Sequence, residues 1–132
     1  MTASGPKASA DRYWSQLVRL RGGCQYPGCG TPRNLEAAHI IRRRHVGDPD
    51  GTPLRTNLEN GLALCHDHHA AIDADPVAFT QLVTATIGLD KYEELLKAKH
   101  APHRRWAAKD WIRERVRLRE LLKAAGSVDR DP

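Results

Sequence analysis

The chain has 132 residues, with 21 Lys and Arg against 16 Asp and Glu and only three Trp, three Tyr and one Phe. That length suits one domain with a modest core and excludes two large independent ones; the formal charge of +5 favours a polyanionic partner. No apolar run approaches the roughly 18 residues of a membrane span, so no membrane partner is expected and an intracellular, cytoplasmic protein is.

In chain order, residues 1–9 are rich in Ala, Ser, Gly and Pro and are expected to form a flexible leader without chemistry. From Ala10 to Arg21, Tyr13, Trp14, Leu17, Val18 and Leu20 recur at helical spacing, with Gly22 and Gly23 ending the helix. Residues 35–41 and 60–65 read as short strands, and the Pro- and Gly-containing stretch between them as a long loop. A helix is expected from His66 until Pro76, then two more over 75–88 and 89–100 separated by Gly88, and a last one from Arg104 to Ala125. The domain division is then a leader (1–9), a core with its N-terminal helix (10–75), a helical extension (76–125) and a flexible tail (126–132).

Basicity is local. Between Lys99 and Lys123 there are nine Lys or Arg and three Asp or Glu, an excess of six against a whole-chain charge of +5. Arg113 and Arg117 on this last helix are candidate phosphate contacts, as are Arg42, Arg43 and Arg44 just after the first strand.

Three cysteines cannot all pair, and their spacing favours a metal. Cys24-Gln-Tyr-Pro-Gly-Cys29 places Pro27 and Gly28 in a turn that aims both sulfurs at one point. Cys65-His-Asp-His68, thirty-six residues on, offers a second knuckle. Cys24, Cys29, Cys65 and His68 are therefore expected to hold structural zinc, with His66 as the alternative fourth ligand; four protein ligands leave no open position for substrate. His69 and Asp73, at i and i+4 on one helical face, can share a second cation.

The segments Leu-Glu-Ala-Ala-His-Ile (35–40), Asn-Gly-Leu-Ala-Leu-Cys (60–65) and Cys-His-Asp-His-His-Ala-Ala-Ile-Asp (65–73) together resemble the HNH endonuclease superfamily. The fold this implies is α+β, a small zinc-stapled ββα-metal core with an N-terminal helix and two to three C-terminal helices. The resemblance makes His39 the general base, Asn60 the residue that fixes its loop, and His69 a ligand of Mg2+ or another catalytic divalent metal. DNA would be the partner, cleaved to a 5′ phosphate and a 3′ hydroxyl. Many HNH enzymes carry Asp or His just before the general base; here that position is Ala38, so Asp73 is the expected second metal ligand, with Glu36 and His45 as lesser candidates.

The chemistry suits these residue types independently. A neutral imidazole near its ordinary pKa can deprotonate a water, and a metal with open positions neutralises charge on phosphate and leaving oxygen. Phe79, Leu82, Ile87, Gly88, Tyr92 and Glu93 also resemble, more loosely, the C-terminal part of phage recombination nucleases of the NinG/Rap type, which act on branched DNA. The competing reading is a zinc-ribbon DNA-binding module whose histidines are structural.

Overall fold

A computed structural model of the chain describes residues 5–42, 53–101 and 106–126. Its elements run α1 (Pro6–Arg19), β1 (Leu35–His39), α2 (Pro53–Thr56), a 3-10 turn (Leu58–Asn60), β2 (Gly61–Cys65), α3 (His66–Asp73), α4 (Pro76–Ile87), α5 (Leu89–His100) and α6 (Ala108–Ala124). This is the expected α+β class: a two-stranded hairpin and a helix, one helix before them and three after.

β1 and β2 pair antiparallel, with Leu35 opposite Cys65 and His39 opposite Gly61. Alternate side chains of a strand face opposite sides, and here both sides are covered, so every residue of β2 is buried. Leu62 and Leu64 pack with Ala38, Ile72, Leu82, Val83 and Leu95 towards α3, α4 and α5. Ala63 packs with Tyr13, Trp14, Val18, Trp111, Leu118 and Leu122 towards α1 and α6. The hairpin is thus the middle of three layers. A strand buried on both faces has no polar side, which is why residues 61–65 read as an unbroken apolar run.

Three expectations are corrected. The first helix starts at Pro6, not Ala10: Pro occupies an initial helical position, where its missing N–H is no loss, and Ser9 and Ala10 are buried under α6. The expected leader is therefore helical from residue 6 and buried at Ser9. The stretch between the strands holds α2 and the 3-10 turn, elements too short to leave a periodic signature. The last helix begins at Ala108 rather than Arg104; the Asp110 carboxylate accepts the Ala107 N–H at 2.8 Å and satisfies one of its first donors.

The middle helices start and stop as their residues dictate. Asp75 caps α4, its carboxylate accepting from the N–H groups of Val77 and Ala78, both at 3.1 Å. Gly88, at φ +88°, takes a backbone conformation that other residues avoid and turns the chain into α5. Among the described residues no helix is long and apolar enough to cross a membrane.

Candidate metal centre and active site

The knuckle at Cys24 is built by backbone hydrogen bonds. Cys24 N–H donates to Thr31 O, Cys29 N–H to Tyr26 O and Gly30 N–H to Cys24 O, with Gly28 at φ +84° and Gly30 at φ +66° making the turn. Gln25 docks it on β2: its N–H donates to Ala63 O at 2.8 Å, and its side-chain oxygen accepts from Ala63 N–H at 2.9 Å. The second knuckle is the junction where β2 ends at Cys65 and α3 begins. Their meeting brings ligand atoms of Cys24, Cys29, Cys65 and His68 within 4.8 Å of one another.

Sulfur and nitrogen ligands around a tetrahedral zinc, with bonds of about 2.3 and 2.0 Å, stand roughly 3.5 Å apart. Cys24 Sγ and Cys65 Sγ lie 3.5 and 3.3 Å from His68 Nδ1. The donor set and spacing fit a structural zinc, and the Tyr26 ring stacks on His68 at 4.0 Å as a cover. His66, the alternative ligand, points elsewhere. Its Nδ1 is 2.8 Å from Glu36 Oε2.

Glu36, on β1, receives two imidazoles. Its Oε1 lies 2.7 Å from His69 Nδ1, so one carboxylate spans His66 and His69, one turn apart on α3. Hydrogen bonds from His66, then His69, hold the Glu36 carboxyl below its ordinary range, and Glu36 in turn raises His66. A recess of about 600 Å³ lined by Arg33, Asn34, Glu36, His66 and Asp67 opens beside this cluster. Asp73, four residues after His69, pairs instead with Arg42, Oδ1 to Nη1 at 2.9 Å, and the Arg42 guanidinium lies 5.3 Å from the Phe79 ring centre.

His39 ends β1 on the opposite hairpin face from Glu36, towards α1. Its ring stacks on Trp14 with centroids 3.9 Å apart and planes at 10°. His39 Nε2 is 2.8 Å from the Arg55 carbonyl oxygen; a carbonyl only accepts, so Nε2 carries a proton, and in the neutral ring Nδ1 is then the acceptor atom. Asn60, fully buried, uses both amide hydrogens and its oxygen. Its oxygen accepts from Ile41 N–H at 2.7 Å, and its nitrogen donates to Ile41 O at 3.1 Å and Leu54 O at 2.9 Å. With Ile40 N–H donating to Asn60 O, Asn60 ties the chain after β1 to the chain before β2.

Of the basic candidates, Arg113 is exposed on α6, while Arg117 donates to the buried Glu114 carboxylate at 2.7 and 2.9 Å. Arg43, Arg44 and His45 lie outside the described residues. Sequence reasoning did not single out Arg55, Trp14 as a ring partner, or Glu114. Glu36 was only a minor candidate, although its place two residues before Ala38 puts it on the strand face towards α3.

The family model described as HNH endonuclease matches residues 24–80, from the first knuckle cysteine into α4. No curated protein and no solved structure matches the chain.

Proposed function

We propose that this chain, a member of the HNH endonuclease superfamily through residues 24–80, hydrolyses DNA phosphodiester bonds with His39 as the general base. The observation that carries the reading is the hydrogen bond from His39 Nε2 to the Arg55 carbonyl, which sets the neutral tautomer able to accept a proton at Nδ1.

In the proposed step, His39 Nδ1 takes a proton from a water whose oxygen attacks phosphorus, the bond from phosphorus to the 3′ oxygen breaks, and that oxygen is protonated from solvent. The products are a 5′ phosphate and a 3′ hydroxyl. Asn60 holds the backbone on either side of this site, so the base does not drift. His69 and Asp73 are the proposed ligands of Mg2+ or another divalent cation, which when bound would neutralise charge on the phosphate and the leaving oxygen. The bond from His69 Nδ1 to Glu36 suits this: a carboxylate on one ring nitrogen orients the other for metal. Arg42, Arg43, Arg44 and Arg113 are the proposed phosphate contacts.

One distance favours a second assignment of the metal's carboxylate. Glu36 Oε1 is 2.7 Å from His69, whereas Asp73 is engaged by Arg42, so Glu36 itself can serve as ligand in place of Asp73.

The test is zinc-loaded protein incubated with supercoiled plasmid and with duplex, single-stranded, branched and RNA oligonucleotides, in Mg2+, Mn2+ or Ni2+. The reading expects nicking of DNA that stops on adding EDTA. Preference for branched DNA would match a recombination nuclease, and tight DNA binding without cleavage in any metal would replace the enzyme with a binding module.

A further inference from the structure

α1 and α6 lie outside residues 24–80, yet α1 reaches the residue that carries the His39 hydrogen bond and α6 the residue next to it. Arg55 is 6% exposed, and its guanidinium donates to both carboxylate oxygens of Asp11 on α1, at 3.0 and 2.9 Å. The next residue, Thr56, is fully buried and donates its hydroxyl to Glu114 on α6. Glu114 is itself clamped by Arg117. Burial alone would raise the Glu114 carboxyl, but the bonds from Arg117 and Thr56 outweigh it and hold the group ionised. Two acids, one from each flanking helix, thus grip adjacent residues of α2.

Trp14 on α1 completes the arrangement. It is 3% exposed, lies flat on the His39 ring, and donates its indole N–H to Asn57 O at 2.9 Å. Room for it exists only because residue 61, opposite His39 in the hairpin, is glycine: a Cβ there would stand 2.8 Å from Trp14 Cζ2 and 2.9 Å from Val18 Cγ2.

We infer that α1 and α6 are part of the catalytic apparatus: Asp11 and Glu114 fix the Arg55–Thr56 peptide whose carbonyl sets the His39 tautomer, and Trp14 fixes the plane of its ring. These three are positioning residues, not catalytic ones. The inference rests on His39 being the general base, but it is read out independently of cleavage. A buried, doubly bonded guanidinium is an expensive way to hold a surface loop, and it is well suited to holding a carbonyl to within a fraction of an ångström.

The experiment uses full-length, zinc-loaded protein labelled with 15N at histidine. In the parent, His39 is expected as the Nε2–H tautomer with a hydrogen-bonded Nε2 resonance. Asp11→Asn and Trp14→Phe are expected to shift that resonance towards tautomer averaging and to lower kcat by about 10–100-fold with KM changed by less than roughly twofold; Asp11→Glu should recover part of the loss. Glu114→Gln should act likewise, and if it fails to fold, Asp11→Asn, at the more exposed end of the network, decides alone. Parental His39 resonances and kcat in Asp11→Asn and Trp14→Phe, with only a lower Tm, overturn the inference and leave the helices as packing. If His39→Ala still cleaves, the base assignment fails, and the His39 spectra still report whether the helices position the ring.

Discussion

Asp73 Oδ1 lies 2.9 Å from Arg42 Nη1, on the protein surface at the end of α3. The carboxylate assigned to the catalytic cation therefore already has a cationic partner, and metal loading through Asp73 requires that pair to open. A half-exposed ion pair of this kind contributes about 1 kcal/mol or less, so a divalent cation can displace it. Calorimetric titration of Mn2+ into zinc-loaded protein tests the assignment. Losing Glu36 as an orienting partner should weaken binding about 10–100-fold, and Asp73→Asn should weaken it more than Glu36→Gln does. The reverse order makes Glu36 the ligand.

Zinc held by Cys24, Cys29, Cys65 and His68 would tie together two knuckles that Gln25 already docks on the same strand. Zinc at such a site can contribute on the order of 10 kcal/mol of apparent folding free energy, comparable to the whole net stability of about 5–15 kcal/mol of a small domain. Stripping the metal with a strong chelator, or replacing Cys24 or Cys65 with Ala, should abolish the cooperative melt seen by circular dichroism. A variant that melts normally with no zinc by metal analysis would remove the centre's structural role.

Glu114 provides a pH test away from either metal site. Its folded pKa lies below the ordinary 4.5, so its contribution to stability is present above about pH 4.5 and is lost as pH falls through the lower folded value. Urea melts of the parent and Glu114→Gln should differ by about 1–3 kcal/mol near pH 7 and converge at acid pH. A constant difference across the range would mean that Glu114 acts through shape rather than charge.

Gly61 is a packing requirement at the hairpin. Gly61→Ala places a methyl group against Trp14 and Val18, an overpacking that costs about 1–3 kcal/mol. Its thermal melt should be lower with zinc content unchanged. Parental stability would show that Trp14 moves freely and is no fixed platform.

The sequence discloses most of this site through local pattern. The short apolar runs mark both strands, the paired knuckles mark the four residues that come together as a possible metal site, and His39, Asn60 and His69 stand out as a set. What it conceals is long-range. Asp11 meets Arg55 across 44 residues and Thr56 meets Glu114 across 58, and no periodicity relates them. The arginine count misleads for the same reason: Arg42, Arg55 and Arg117 each hold a carboxylate of the chain itself, so the number of arginines overstates the cations offered to a partner. The early start of α1 is legible in part, since Pro6 suits an initial helical position, whereas the burial of Ala10 with α6 residues is long-range.

The proposed role of His39 is the base of a hydrolytic nuclease. Single-turnover cleavage of supercoiled plasmid by the parent and by His39→Ala, both loaded with zinc and supplied with Mn2+, measures it directly. Loss of one general base should lower the rate about 10²–10⁴-fold while zinc content and Tm stay at parental values. Equal cleavage rates in the two proteins would contradict the account.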